Sequence, residues 1–314
     1  MVSDQGMVQD PSPLIGEGVG DALGMPFETK KSDDPELLAW DGRYLPSEFH
    51  QLNPGQWTDD TMMAKLITES LFLCGGFYPR DIADRYRHWL INGAKRGMGK
   101  TTQAALENLD RGVPWCKSGI DGSEGNGTAM RSAPIGAFYH EDLYTTAEFA
   151  RIDARITHRS REAEEGSAAV SVAVALLLNG VKVEDLVTKT IGYLEDSKIK
   201  DRLQRLVFYQ NSGDVDAPEA MKLFGTSAHV VQTVPSAFSA FVFTKTYEEA
   251  VQAAVRAGGD TDTTAAITGA LAGTYYGFSA IPKRYRDSLE GIDHFKRLES
   301  KIQVGPRAPV LWNL

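Results

Sequence analysis

The chain has 314 residues, of which 42% are hydrophobic and 24% charged, an ordinary composition for a globular protein of one large or two smaller domains. Its formal net charge is −9 and no basic or basic-aromatic patch stands out, so direct nucleic-acid binding is disfavoured. No apolar run is long enough to cross a bilayer, no signal-peptide pattern is visible, and two cysteines are too few for a disulfide framework. We therefore expect a cytoplasmic protein without a membrane partner, acting on a small molecule or a protein-attached group.

The start of the chain combines a polar segment with a glycine-rich one. Residues 1–13 are polar and contain two prolines, which predicts a flexible tail before a single domain over 14–314. The segment 16–24 does not fit the dinucleotide-binding fingerprint, because Asp21 stands in place of the last glycine and no strand precedes it. Glu28 follows shortly afterwards, and taken alone it is typical of a surface acid, since glutamate is usually exposed.

Two adjacent carboxylates, Asp59 and Asp60, stand directly before residues with helical spacing. Burying both without a compensating charge would raise the pKa of at least one, so such a pair is either solvated or holds a cation. On its own, the pair is most typical of a solvated helix start. The preceding residue, Thr58, adds a hydroxyl oxygen to the cluster.

The middle of the chain predicts helices joined by glycine-rich loops. An amphipathic helix is expected over 79–92 and a shorter helix over 103–109. The loop between them imitates a phosphate-binding loop, but Ala94 replaces a required glycine and a helix rather than a strand precedes it. A nucleotide-triphosphatase is therefore rejected.

A second glycine-rich loop, over residues 122–127, is a candidate for binding a phosphate or a sugar. Its small residues expose backbone N–H groups and permit a close approach of the ligand. An ordinary surface loop is the alternative. His158 follows, and a lone histidine is more often a cap or surface residue than a ligand contact. It precedes a buried helix predicted over 162–179 that ends at Gly180. The loop consists of Gly122, Ser123, Glu124, Gly125, Asn126 and Gly127.

A second acidic cluster contains Asp260 and Asp262 at the expected start of a helix. Capping of that helix and cation binding explain this cluster equally well on its own. Gly269, Gly273 and Gly277 would leave one helix face bare, so that another backbone can lie against it. The two clusters together offer only hard oxygen donors, which suit magnesium, manganese or calcium, and four carboxylates carry enough charge for two divalent ions. Since no convincing strand is found, we predict an all-α fold in a single domain.

Six stretches resemble, in their order along nearly the whole chain, the motifs of the ADP-ribosylglycohydrolase family. They are Gly20-Asp21-Ala22-Leu23-Gly24 with Glu28, the segment 57–61, the segment 97–102, the segment 125–134, Thr157-His158 and the segment 258–263. The resemblance implies a compact, multi-helix all-α domain whose cleft holds two Mg²⁺ or Mn²⁺ ions. The metal ligands that it implies are Thr58, Asp59, Asp60, Asp260, Asp262 and Thr263. One departure is that Pro11, Pro13 and Glu17 are expected to interrupt a helix that family members carry at this point.

The function that the resemblance implies is hydrolysis of the glycosidic bond between ADP-ribose and a protein side chain, or of a small ADP-ribose-containing molecule. Arginine is the favoured linkage and serine the alternative. Glu28 and Asp59 are the expected catalytic residues, and the loop 122–127 with His158 is expected to bind the substrate. Three aromatic residues are equal candidates for stacking on the adenine: Tyr139, Phe208 and Tyr209.

Two other classes share part of this pattern. A metal-dependent phosphohydrolase also uses clustered aspartates, but it usually adds histidines or lysines around its metals, and neither acidic cluster contains them. A non-catalytic ADP-ribose-binding or crystallin-like structural member would share the fold, but such members are expected to lose metal carboxylates, and all four are intact. The sequence therefore favours an enzyme. It leaves open the target protein, the native metal and the oligomeric state.

Overall fold

Helices form nearly all of the regular structure in the computed structural model, which describes residues 10–302. In chain order they are α1 (Pro13–Gly24), α2 (Pro35–Ala39), α3 (Asp59–Cys74), α4 (Pro79–Asn92), α5 (Lys100–Asp110), α6 (Trp115–Ser118), α7 (Ala133–Phe138), α8 (Leu143–Ala154), α9 (Arg161–Leu178), α10 (Val183–Ile191), α11 (Lys198–Ser212), α12 (Ala217–Phe224), α13 (Val230–Val242), α14 (Tyr247–Arg256), α15 (Thr261–Tyr276), α16 (Lys283–Arg286) and α17 (Ile292–Ile302). Short 3₁₀ turns cover Met25–Phe27 and Phe278–Ala280. Two-residue strands β1 (Ile120–Asp121) and β2 (His158–Arg159) pair in parallel. The predicted all-α class is confirmed.

The helices predicted from hydrophobic spacing are present. α4 has the predicted bounds, 79–92, whereas α5 begins earlier than predicted, at Lys100. α9 ends just before Gly180, whose φ of +75° is the left-handed conformation that favours glycine after a helix. None of the helices in residues 10–302 is both long and apolar enough to cross a lipid bilayer.

The hydrophobic core is centred on α9, most of whose side chains are buried. Helices α7, α8, α10, α13 and α15 pack around it. The alanine-rich sequence of α9 explains this position, because small side chains let several neighbouring helices approach the same element.

Within residues 10–302 the most extensive helix–helix packing is that of α1 against α15, and glycine makes the close approach possible. A Cβ on Gly16 would lie 2.3 Å from the carbonyl oxygen of Gly269, and a Cβ on Gly269 would lie 2.1 Å from the carbonyl oxygen of Gly16. The bare face predicted for α15 is therefore confirmed at Gly269, and Gly273 lies equally close to the chain before α1. Gly277 has a different role, because it ends α15 with a φ of +80°.

The start of α1 is held by Glu299 of α17. The Glu299 carboxylate accepts hydrogen bonds from the Ser12 hydroxyl (2.7 Å) and the Ile15 N–H (2.9 Å). Pro13 is compatible with the helix because the first-turn N–H has no partner within a helix. The expectation that this helix is interrupted is wrong, since α1 continues past a fully buried Glu17. Of the predicted tail, residues 1–9 lie outside the described residues.

Candidate active site

The carboxylate of Asp21 joins α1 to the first turn of α3. It accepts hydrogen bonds from the backbone N–H and hydroxyl groups of Thr58 and Thr61, at 2.6–3.2 Å. Burial raises the pKa of Asp21, although these donors oppose the rise. The hydrogen bonds hold Asp59 and Asp60 beside the C-terminal half of α1.

Two glycines turn the chain into α15. Gly258 and Gly259 have φ angles of +71° and +82°, and a Cβ on Gly259 would lie 2.2 Å from the carbonyl oxygen of Thr226. Thr261 then donates its hydroxyl to the carbonyl oxygen of Gly24, the last residue of α1, at 2.8 Å. Since the same end of α1 holds the first turns of α3 and α15, the two acidic clusters are brought together.

The acidic clusters form one wall of a cavity of about 730 Å³. The predicted site residues that line this cavity are Glu28, Asp59, Asp60, Gly125, Asn126, Gly127, His158, Asp260, Asp262 and Thr263. Thr58 is fully buried behind this wall, where its hydroxyl contacts the carboxylates of Asp21 and Asp60. Residues 122–124 instead line an adjacent cavity of about 510 Å³, together with Gly125.

The acidic wall, meaning Asp59, Asp60, Asp260 and Asp262, is buried, and burial raises the pKa of each carboxyl group. Repulsion from neighbouring carboxylates adds to this, so that Asp59, Asp60 and Asp262 have pKa values well above the usual range for aspartate. Within the described residues, Asp60 Oδ1 is buried without a hydrogen-bond partner. A buried set of carboxylates with an unpaired oxygen fits hard divalent cations.

His50 joins the acidic wall in space, although neither acidic cluster contains a histidine in sequence. Its Nε2 lies 2.5 Å from Glu28 Oε2 and 4.0 Å from Asp262 Oδ2, and its side chain is 5% exposed. Glu28 itself lines the cavity, so its interpretation as an isolated surface acid is wrong. Sequence analysis missed His50 because it lies in an irregular segment between α2 and α3, with no periodic pattern to mark it.

A family model described as ADP-ribosylglycohydrolase matches residues 13–308. The chain belongs to the ADP-ribosylglycohydrolase family. It is 36% identical to an uncharacterised protein of Archaeoglobus fulgidus, over 92% of this chain and 94% of that protein. It is 27% identical to the ADP-ribosylarginine hydrolase Tri1 of Serratia proteamaculans, over 92% of this chain and 77% of Tri1. A solved structure described as an ADP-ribosylglycohydrolase-related protein complex matches with a TM-score of 0.79 and 32% identity, covering 93% of this chain and 96% of that one.

The resemblance predicted from the six sequence motifs is thereby confirmed. In this ADP-ribosylglycohydrolase family member, the loop 125–127 and His158 form a second part of the cavity lining. Asn126 connects this loop to the acidic wall, because its Nδ2 donates to Asp260 Oδ2 at 2.7 Å. Lys95 and Lys100 also line the cavity. The lining therefore combines carboxylates with lysines and a glycine-rich loop, which suits a ligand that has both hydroxyl and anionic groups.

None of the three aromatic candidates for adenine stacking lines either cavity of this family member. Tyr139 is buried in the core, while Phe208 and Tyr209 lie on α11. Phe49, which sequence analysis missed, lines the larger cavity with 70% of its surface exposed. Its ring contacts His50 edge-on, with 4.8 Å between the ring centroids.

Proposed function

We propose that the chain is a metal-dependent hydrolase that cleaves the N- or O-glycosidic bond between ADP-ribose and a protein side chain, reversing mono-ADP-ribosylation. The observation that carries the proposal is the convergence of four buried aspartates, from the starts of α3 and α15, on one wall of a large cleft. Membership of the ADP-ribosylglycohydrolase family supports the substrate class. The relative Tri1 is named an ADP-ribosylarginine hydrolase, which favours arginine as the linkage, with serine as the alternative.

The chain offers a set of oxygen ligands for two Mg²⁺ or Mn²⁺ ions. Bound there, the ions would orient the hydroxyls of the terminal ribose and a water molecule and would stabilise developing charge. The Thr58 hydroxyl has two carboxylate acceptors within reach, Asp21 Oδ1 (3.0 Å) and Asp60 Oδ2 (3.1 Å). Its one proton is donated to one of them, which leaves oxygen lone pairs of Thr58 available. The residues that would hold the ions are Thr58, Asp59, Asp60, Asp260, Asp262 and Thr263.

We assign proton transfer to Glu28, with Asp59 as the alternative. The Glu28 side chain is 25% exposed, so it can exchange a proton with water, whereas Asp59 lies deeper in the cleft. His50 Nε2 lies 2.5 Å from Glu28 Oε2, without hydrogen-bond geometry, so the Glu28 carboxylate stands beside the imidazole at the edge of the acidic wall. From this position Glu28 would take a proton from the attacking water or give one to the leaving side chain.

The second part of the lining would hold the rest of the substrate. The backbone N–H groups of Gly125 and Gly127 suit the diphosphate of ADP-ribose, whereas that of Asn126 donates to the carbonyl oxygen of Ala228. The ammonium groups of Lys95 and Lys100 add positive charge. The cavity formed by residues 122–124 and their neighbours adjoins this loop through Gly125, so a ligand longer than a ribose phosphate can extend into it.

The experiment that tests this proposal measures release of free ADP-ribose from two peptides, one modified on arginine and one on serine. Each peptide is incubated with the chain in Mg²⁺, in Mn²⁺ and in EDTA. We expect release that depends on the divalent ion, and faster release from the arginine-linked peptide. Release in EDTA at the same rate as in Mg²⁺ or Mn²⁺ would contradict the metal assignment. An absence of release from both peptides, with ADP-ribose still binding tightly, would favour a non-catalytic ADP-ribose-binding protein.

A further inference from the structure

We propose that Arg131, acting through the hydroxyl group of Thr157, fixes His158 in the tautomer that carries its proton on Nε2. In this state the imidazole presents a permanent hydrogen-bond donor to an oxygen of the substrate. The inference extends the proposed function, on which its substrate depends, by assigning a positioning role to two residues that do not line the cleft.

Arg131 is a fully buried cation that donates four hydrogen bonds to oxygen atoms. Its Nε donates to Asp153 Oδ2 (2.8 Å) and its Nη2 donates to the Asp153 carbonyl oxygen (2.9 Å). Its Nη1 donates to the carbonyl oxygen of Gly127 (3.0 Å) and to Thr157 Oγ1 (2.8 Å). An arginine side chain has no acceptor atom, so the direction of every one of these hydrogen bonds is fixed.

The position of the Thr157 proton follows from this direction. A hydroxyl group carries one proton, and Thr157 Oγ1 must accept from Arg131. Within residues 10–302, its other partner is His158 Nδ1, at 2.9 Å. The Thr157 hydroxyl therefore donates to Nδ1, which makes Nδ1 an acceptor and places the imidazole proton on Nε2.

The opposite tautomer would leave a buried hydroxyl proton without an acceptor. An unsatisfied buried donor costs about 1–3 kcal/mol, which corresponds to roughly a 5- to 150-fold preference for the Nε2–H form. Burial, together with the positive charge of Arg131, also lowers the pKa of His158 to about 3. The imidazole is consequently neutral near pH 7, so its single ring proton has a defined position.

The donor edge of His158 faces the glycine-rich loop. A Cβ on Gly125 would lie 3.0 Å from Nε2, and a Cβ on Gly127 would lie 2.9 Å from Cε1. Arg131 binds the carbonyl oxygen of Gly127 and, through Thr157, the imidazole, so one guanidinium positions both the loop and the ring. The Nε2–H group and the loop N–H groups would then bind neighbouring oxygens of one ligand, such as the diphosphate of ADP-ribose.

The tautomer can be read directly from long-range ¹H–¹⁵N NMR spectra of the ¹⁵N-histidine-labelled, full-length chain without substrate. The chain has six histidines, and His158→Gln identifies the signal of His158 by its loss. We expect a protonated Nε2 and an unprotonated Nδ1 that do not change between pH 6 and 8. A proton on Nδ1 in the unmodified chain would overturn the proposal. This readout requires neither catalysis nor metal, so it is independent of the proposed function.

Substitutions of Thr157 provide the matched test. Thr157→Val removes the hydroxyl at nearly constant size, and Thr157→Ser retains it. We expect Thr157→Val to lose the fixed tautomer and to bind ADP-ribose about 10-fold more weakly, about 1.4 kcal/mol, by calorimetry. Thr157→Ser is expected to keep both properties. If Thr157→Val retains the tautomer and the affinity, or if Thr157→Ser loses both while remaining folded, the proposal is wrong.

Discussion

Two groups of buried charges in this chain are balanced in different ways. Arg131 and Asp153 are both 0% exposed, but they neutralise each other and are joined by two hydrogen bonds. The acidic wall is also buried, with 2–8% of each residue exposed. Within residues 10–302, however, no lysine or arginine forms an ion pair with any of its four aspartates, and the imidazole of His50 is 4.0 Å from Asp262. The first group is neutralised within the chain. The second receives hydrogen bonds, such as that from Asn126 to Asp260, but no cationic side chain from the described residues, which fits the divalent cations proposed above.

The largest expected effect is that of Asp262→Ala on catalysis. Removing this carboxylate from the acidic wall should lower the rate of ADP-ribose release by about 10⁴-fold, or roughly 5.5 kcal/mol of transition-state stabilisation, with little loss of fold. The rate is measured on the arginine-linked peptide in Mg²⁺ or Mn²⁺, and circular dichroism checks the fold. Asp287→Ala, at an exposed position near α16, is a matched control expected to keep full activity. Full activity in Asp262→Ala would refute the metal assignment.

Breaking the balanced pair should affect stability instead. Arg131→Met leaves the Asp153 carboxylate buried without its partner, so we expect a loss of about 3–5 kcal/mol in the free energy of unfolding. The double variant Arg131→Met with Asp153→Asn should recover part of that loss. Asp262→Asn, measured in EDTA, should instead raise the free energy of unfolding, because it removes one of several buried carboxylates that repel one another. Urea unfolding monitored by fluorescence gives all three values. If Arg131→Met and Asp262→Asn both lower, or both raise, the free energy of unfolding, the two regions do not differ in how their buried charges are balanced.

Divalent cations should stabilise the chain through the acidic wall. At 100 times the dissociation constant, a ligand that binds only the folded state adds about 2.7 kcal/mol to the free energy of unfolding. We expect Mn²⁺ to raise the unfolding temperature of the unmodified chain and of Thr157→Ser, and to leave that of Asp262→Ala nearly unchanged. An equal rise in the unmodified chain and in Asp262→Ala would place the stabilising ion elsewhere.

A smaller effect concerns the carboxyl group of Glu299, far from the acidic wall in sequence. Burial raises its pKa from 4.5 to about 7, so between these values the unfolded chain loses a proton that the folded chain keeps. The contribution of the Glu299 carboxyl group to the free energy of unfolding is therefore fully present below pH 4.5 and is lost as the pH rises towards 7. Glu299→Gln cannot titrate, and we expect it to gain about 2 kcal/mol relative to the unmodified chain between pH 5 and 7. Urea unfolding at several pH values measures the difference, and a constant difference across this range would contradict the assignment.

The acidic wall could be predicted because each of its two clusters is contiguous in sequence and stands at a helix start, where local rules apply. The bare face of α15 was visible for the same reason, as a repeat of glycines. His50, Phe49 and the supporting role of Asp21 could not be predicted, because tertiary packing alone brings these side chains to the cleft. Likewise, Glu28 had no local feature that separated it from a surface acid, apart from the family resemblance.

The substrate-binding residues show the same limit. His158 was selected through the family motif, but its connection to Arg131, 27 positions earlier in the sequence, runs through the hydroxyl group of Thr157. The three aromatic candidates for adenine stacking were chosen by residue type, and residue type does not determine which face of a helix reaches a cavity. Residue type and periodicity therefore identified neighbours only within contiguous motifs, and the family resemblance brought the separate motifs into one cleft.

The most direct test of the central claim is the number of Mn²⁺ ions bound per chain, measured by equilibrium dialysis with detection by electron paramagnetic resonance. We predict two Mn²⁺ ions bound by the unmodified chain, with a spin coupling that shows that they share one site, and loss of this coupled pair in Asp262→Ala. The absence of bound Mn²⁺ in the unmodified chain at millimolar concentrations would contradict the claim that the acidic wall is balanced by cations.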